Sequence, residues 1–464
     1  MQSYKDFLRS KQIITRPSGF EPYPIKDGPF DWQSAIDRWA IRKGKAALFE
    51  DCGLGKTLQQ LEWSRQVSLH AGLPVLIVAP LAVAKQTQRE GVKFGYSVTV
   101  CRSQADIQPG INITNYEMLE HFDAEKFGGV VLDESSILKS YSGKIKQQII
   151  DMFRDTPYKL ACTATPAPND FMELGNHAEF LGIMTRSEML STFFVHDGGS
   201  TQSWRLKGHA QGDFWKWIAS WAVVLSDPAD LGYDGSAYKL PPLNVIEHIV
   251  KTGHKFDSDG QERLFAPTVQ TLNDRRAARH ESLEQRVKEC AEIANSTDKQ
   301  CLVWCDLNEE SKALAKAIKG AVEVTGSDTD EHKADAMMGF TDGSIRCLVS
   351  KPKIAGWGMN WQNCDTGIFC GLSDSFEAYY QAVRRCWRFG QHNPVDVHIV
   401  VSDAEGAVKA NIERKQANAQ HMTSEMVKYT KAILQADVRG TIRQQDNYFP
   451  RQEMVLPPWL ERTA

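Results

Sequence analysis

Short apolar runs separated by helix-length amphipathic stretches dominate this chain, and the pattern occurs twice. In the first half the runs are Ala46-Ala47-Leu48-Phe49, Val75-Leu76-Ile77-Val78, Gly129-Val130-Val131-Leu132 and Lys159-Leu160-Ala161-Cys162. Continuous apolar, β-branched runs, unlike a strict polar-apolar alternation, mark strands covered on both faces, as in a parallel sheet flanked by helices. A second series extends from Val245 to about Val401. It passes through Cys301-Leu302-Val303-Trp304, Val322-Glu323-Val324, Arg346-Cys347-Leu348-Val349 and Val395-Asp396-Val397-His398-Ile399-Val400, with Arg276 to Ala294 and Ser311 to Lys319 reading as helices. The predicted fold class is α/β, with two doubly wound lobes in tandem.

Between them the pattern changes. From about Thr185 to Lys239 the aromatics Trp204, Phe214, Trp215, Trp217 and Trp221 cluster, with glycine joints at Gly198-Gly199 and Gly232. This reads as a helical insertion whose tryptophans serve packing. Leu240-Pro241-Pro242-Leu243 then punctuates the chain as a linker. The expected division is a first lobe over 1–184, insertion and linker over 185–240, a second lobe over 241–435 and a tail over 436–464. That tail carries Leu456-Pro457-Pro458-Trp459-Leu460 and reads as packing against the lobes, with a docking peptide as the alternative.

Composition narrows the picture only modestly. The 464 residues exceed the ~250–300 over which one core keeps growing, which agrees with two domains. Apolar content of 42% and charged content of 24% are ordinary for a folded protein. A net charge of −4 and a pI near 6.3 require any nucleic acid to be gripped by a local basic groove. The ten cysteines form no CxxC pair and several lie in apolar runs, so reduced buried thiols are expected. No stretch approaches the ~20 apolar residues of a membrane span, and the N-terminal Met-Gln-Ser-Tyr-Lys-Asp-Phe lacks an apolar signal core. These features predict a cytoplasmic protein without membrane contact.

Candidate chemistry begins directly after the first apolar run. Glu50-Asp51-Cys52-Gly53-Leu54-Gly55-Lys56-Thr57 links a strand to a helical pattern, the context of a phosphate-binding loop. Gly53 and Gly55 let backbone N–H groups curl around an anion, Lys56 reaches outer phosphates, and Thr57 is placed to hold Mg²⁺. Glu50 stands where the general GxxxxGK[ST] pattern has its first glycine. Asp133 and Glu134 follow the strand that ends at Leu132, at the edge where parallel sheets place ligand-handling groups. Asp133 is suited to Mg²⁺ and Glu134 to orienting and deprotonating water. Together the motifs predict a nucleotide-hydrolysis centre.

Three further motifs accompany these. They are Leu160-Ala161-Cys162-Thr163-Ala164-Thr165-Pro166-Ala167-Pro168-Asn169, Ala355-Gly356-Trp357-Gly358-Met359-Asn360, and Gln381-Ala382-Val383-Arg384-Arg385-Cys386-Trp387-Arg388-Phe389-Gly390-Gln391. In this order the set resembles helicase superfamily two, and within it the Swi/Snf-type DNA translocases, over about Asp31 to Val401. The resemblance implies two RecA-like P-loop lobes that hydrolyse ATP with Mg²⁺ between them. It implies that Gln33 reads adenine, that Gly53, Leu54, Gly55, Lys56, Thr57, Gly358 and Gln381 line the nucleotide site, and that Thr163 and Thr165 link nucleotide state to lobe movement. It also implies that Arg385 and Arg388 are presented to the γ-phosphate by the second lobe, so that catalysis requires closure.

Nucleic acid is expected across both lobes, contacted without sequence reading by Pro80, Lys85, Asn115, Tyr116, Lys139, Ala355, Gly356 and Asn360. The sequence departs from the family at Ser135-Ser136, where glycine or alanine and then histidine are usual, and at Trp387, where histidine is usual. The missing histidine commonly couples hydrolysis to motion, so these departures bear on coupling and not on hydrolysis. The leading expectation is a motor on double-stranded DNA, similar to the compact translocases of bacterial or bacteriophage genomes. The alternatives are a strand-separating DNA or RNA helicase, and a nucleotide-gated module with a protein partner at the insertion or tail.

Overall fold

The computed structural model describes residues 15, 17–26, 30–80, 83–139, 143–167, 170–196, 204–251, 280–356, 359–373, 375–403 and 406–438. Seven strands form the first sheet: β1 (Lys45–Glu50), β2 (Val75–Ala79), β3 (Val98–Val100), β4 (Ile111–Asn115), β5 (Gly129–Asp133), β6 (Tyr158–Cys162) and β7 (Ala222–Leu225). Their order is β3-β4-β2-β5-β6-β1-β7, and every pairing is parallel. The second sheet comprises β8 (Leu243–Val250), β9 (Cys301–Cys305), β10 (Ala321–Val324), β11 (Cys347–Ser350), β12 (Thr366–Cys370) and β13 (Val395–Ser402). It is also all-parallel, in the order β8-β13-β12-β9-β11-β10.

The continuous apolar runs have a direct physical reason. Successive side chains of a strand point to opposite faces, and here both faces carry a core. Ala47 and Phe49 of β1 enter one core while Ala46 and Leu48 enter the other. In β9, Leu302 and Trp304 face one core of the second lobe, and Cys301, Val303 and Cys305 face the opposite one. The tandem α/β expectation is borne out. All ten cysteines are free and buried, and no described helix is long and apolar enough to cross a membrane.

Two boundaries are corrected. The segment 185–240 is not a separate helical insertion. It contains helices Arg186–Phe193 and Gln211–Ala219 and an antiparallel hairpin of Phe194–His196 with Trp204–Leu206, and it then supplies β7, which pairs with β1 at Ala47↔Ala222. Ala222-Val223-Val224-Leu225 is itself a fully buried run, while Trp215, Trp217 and Trp221 fill the first lobe's core. The segment therefore completes the first sheet. The boundary expected at 435 falls inside one helix, Gly406–Val438. Ile412 near its start belongs to the second lobe's core, whereas Met426, Leu434 and Val438 belong to the cores of the first. Most of the expected tail, 439–464, lies outside the described residues.

Candidate functional site

Adjacency of β5, β6 and β1 brings three loops to one sheet edge, because parallel strands end on the same side. Gly53 and Gly55 take φ of 88° and 82°, a left-handed conformation that favours glycine. Gly55 caps helix Lys56–Ala71, so the loop opens on a helix N-terminus. Gln33, 3% exposed, lies directly on the loop: its Nε2 donates to Leu54 O at 2.8 Å, and Phe30 N donates to its Oε1 at 3.0 Å. A Cβ on Gly55 would stand 2.3 Å from Gln33 Nε2, the movable end of a side chain, so it is the left-handed φ more than this contact that favours glycine there. Lys56 Nζ donates to Glu50 O at 2.7 Å and Asp51 O at 3.0 Å. Glu50 is fully buried and accepts from Gln59 Nε2 at 2.8 Å; burial raises its carboxyl to about 7 against the pull of Lys56 and Gln59.

The two neighbouring acids differ in setting. Asp133 accepts from Gln60 Nε2 at 2.8 Å through its side chain and from the Tyr116 hydroxyl at 2.7 Å through its carbonyl. Glu134 has φ of 57°, alone among the described non-glycine residues in a positive conformation. Such strain costs about 1–3 kcal/mol and persists where surrounding contacts enforce it. Desolvation and the adjacent Asp133 raise Glu134 to about 7, opposed by Lys56 and Arg385. The Thr163 hydroxyl donates to Glu134 Oε2 at 3.3 Å, and Thr165 N donates to Thr163 Oγ1 at 3.1 Å. Ser135 Oγ lies 3.1 Å from Nε2 of the buried His177, whose burial lowers it to about 4, so this imidazole is neutral at pH 7.

Across the seam stands helix Phe376–Val383 with the turn that follows. Arg385 donates to Gln381 O at 2.9 Å, Met359 O at 3.0 Å and Gln381 Oε1 at 2.8 Å; Arg388 donates to Met359 O at 3.2 Å. Desolvation, with Arg385 adding to it, lowers Arg388 to about 10. Both expected fingers thus sit at the seam, hydrogen-bonded to their own lobe. A Cβ on Gly53 would meet Phe389 N at 3.0 Å and Arg388 Cβ at 3.6 Å, so this turn abuts the phosphate loop.

A second-lobe arginine that crosses the seam to the glycine loop is one the sequence reading did not single out. Arg384 Nη2 pairs with Asp51 Oδ2 at 2.7 Å and donates to Cys52 O at 2.8 Å, while the Tyr380 hydroxyl donates to Asp51 Oδ1. Burial by itself would lower Arg384, but Asp51 and Tyr380 hold it above its ordinary value. Gln381, expected at the nucleotide, is fully buried and accepts from Cys52 Sγ at 3.7 Å. The available signal was a third arginine in the Gln381 to Gln391 run together with an acid inside the glycine loop.

Between the lobes runs a groove of about 840 Å³. Pro80, Lys85, Asn115, Tyr116 and Lys139 line it from the first lobe, with Glu134, and Lys333, Lys353 and Met359 line it from the second. Arg102, Lys333 and Lys353 were not anticipated. Some expected contacts are otherwise engaged: Tyr116 donates to Asp133 O, Asn115 Oδ1 accepts from Met118 N at 3.1 Å, and Lys139 pairs with Glu377. Three others are not among the lining residues. Ala355 is fully buried, Gly356 is packed against Pro352 O, and Asn360 Nδ2 donates across the seam to Glu90 Oε1 at 2.8 Å. Gly358 lies outside the described residues.

Residues 32–195 match the SNF2-related domain, and residues 283–390 match the helicase conserved C-terminal domain. The chain is a Swi/Snf-type, superfamily-two helicase-like protein. None of the curated proteins matches it. Among solved structures it is similar to the Sulfolobus solfataricus SWI2/SNF2 ATPase core in complex with dsDNA, at 19% identity and a TM-score of 0.41, over 90% of this chain and 98% of that one. As a superfamily-two protein of this type it is a DNA-dependent ATPase. Within this Swi/Snf-type ATPase the glycine loop, the acidic pair and the threonine turn share one edge of the first sheet. The arginine-bearing turn of the second lobe closes against that edge.

Proposed function

We propose that this Swi/Snf-type ATPase is an ATP-driven motor that tracks along double-stranded DNA. The carrying observation is the groove, which joins Lys85, Arg102 and Lys139 of one lobe to Lys333 and Lys353 of the other and has Glu134 in its lining. Glu117 and Glu120 line it as well as Glu134, so the five cations leave the groove net positive in a chain of net charge −4, and it supplies phosphate contacts that hold a strand without reading its bases. Glu134 so close to that groove lets strand occupancy and hydrolysis influence each other.

In this reading Gln33 reads the adenine, the backbone from Gly53 to Thr57 cradles the phosphates, and Lys56 leaves its loop carbonyls for the outer phosphates. The Thr57 hydroxyl and the Asp133 carboxylate, both hard oxygen donors at the loop mouth, suit Mg²⁺, which when bound neutralises charge on the phosphates. Glu134 accepts the proton of the attacking water. Arg385 and Arg388 turn from Met359 O and Gln381 toward the γ-phosphate as the lobes close, a contribution worth about 10³–10⁵ in rate for a finger of this kind.

The test compares ATPase stimulation by duplex DNA, single-stranded DNA and RNA, alongside displacement of a triplex-forming strand from duplex DNA. Duplex DNA is expected to stimulate most and the third strand to be displaced without separation of the duplex. Dominant stimulation by RNA, or efficient separation of the duplex strands, overturns the proposal.

A further inference from the structure

A hydrogen-bonded chain runs from the groove to the acid beside it. Lys139, in the groove lining, pairs with Oε2 of Glu377 on the second lobe's helix Phe376–Val383. Oε1 of Glu377 accepts from Thr165 Oγ1 at 3.4 Å. Thr165 N donates to Thr163 Oγ1 at 3.1 Å, and Thr163 Oγ1 donates to Glu134 Oε2 at 3.3 Å. Side-chain exposure is 38% for Lys139 but only 5% for Glu377, so the cation reaches solvent while the anion is sealed. A phosphodiester in the groove and Glu377 therefore compete for one ammonium. Once Lys139 turns to the phosphate, Glu377 is a buried carboxylate deprived of its cation, a strongly unfavourable arrangement that forces it to move. Its hold on Thr165 moves with it.

We infer that Glu377 is a positioning residue that gates hydrolysis on nucleic-acid binding, restraining Glu134 through Thr165 and Thr163 until a phosphodiester takes Lys139. The inference rests on reading the groove as the nucleic-acid site and Glu134 as the base. It concerns a residue outside the groove lining.

The experiment measures ATPase rates with and without random-sequence duplex DNA, and duplex affinity by fluorescence anisotropy, for the wild type, Glu377→Gln and Lys139→Gln. Glu377→Gln is expected to raise the DNA-free rate by roughly fivefold or more, the low end of ordinary coupling between two sites. It also reduces the stimulation ratio by the same factor and tightens duplex binding, because Lys139 no longer has to leave an anion. Lys139→Gln raises the DNA-free rate likewise but weakens duplex binding. An unchanged DNA-free rate and ratio in Glu377→Gln overturn the gate. Should that variant fail to fold, an unchanged or lower DNA-free rate in Lys139→Gln overturns it equally. A wild type unstimulated by duplex DNA, single-stranded DNA or RNA removes the groove reading and the gate together, whereas normal stimulation with an unaltered Glu377→Gln removes the gate alone.

Discussion

Glu134 is the residue at which backbone and charge are jointly unusual. Its left-handed φ of 57° turns the side chain out of line with β5, and desolvation with Asp133 alongside raises its carboxyl to about 7. A general base works best when its pKa lies near the working pH. The sign follows directly: below about pH 7 the carboxyl carries a proton and cannot accept another, and above it the carboxylate is available. We therefore predict that kcat/KM for ATP, which reports the free enzyme, rises with pH through about 7. Because Asp133 lies beside it and burial raises that carboxyl too, the apparent value belongs to the pair. Glu134→Gln should lower turnover by about 10²–10⁴ with nucleotide binding retained, as read by fluorescent-nucleotide titration. A flat profile from pH 5.5 to 8.5, or near-normal turnover in Glu134→Gln, would falsify the assignment.

At the scale of elements, the decisive contact joins a loop and a helix from different lobes. Helix Phe376–Val383 ends on the phosphate loop, with Tyr380 and Arg384 both bound to Asp51. If this pair, in which Arg384 is buried and Asp51 partly exposed, sets the register of the arginine turn, Asp51→Asn and Arg384→Gln should not act independently. We predict a coupling of about 1–3 kcal/mol in a double-mutant cycle read by urea unfolding, accompanied in each single variant by a fall in kcat larger than any rise in KM. Simple additivity would show that the contact is incidental. None of this was legible locally, because the pairing joins residues far apart in sequence and both are polar. What was legible follows from burial. β1, β2, β5, β6, β9 and β13 have cores on two sides and write themselves as apolar runs, and Gly53, Gly55, Lys56 and Asp133-Glu134 occupy fixed places on their ends. By contrast, β7 was obscured by the tryptophan-rich helix before it, although its four residues are as apolar as any. Ala355, Gly356 and Asn360 stand outside the groove lining, since a motif's order along the chain does not say which of its residues face outward.

The whole molecule is tied together twice, by the linker at Leu240 to Leu243 and by helix Gly406–Val438. At 33 residues and 1.5 Å per residue the helix is about 50 Å long, enough to begin in one lobe and end in the other. Tyr429 stacks on Trp215 with centroids 6.0 Å apart and planes within 5°, Gln435 Nε2 donates to Asp230 O at 3.1 Å, and Leu434 is fully buried in the first lobe's core. Beneath it, a cavity of about 1030 Å³ lies between the helix, the phosphate loop and helix Phe376–Val383. A helix anchored in both cores makes each lobe's unfolding felt by the other. Leu434→Ala leaves a cavity at the anchor and should cost about 2–5 kcal/mol, loosening the first-lobe end before the second. Calorimetry is therefore expected to show one transition for the wild type and two for Leu434→Ala with Tyr429→Ala, the added one at lower temperature. A double variant that still unfolds in a single transition at the wild-type temperature would mean that the linker and the seam contacts alone couple the lobes, with the helix a passenger on both.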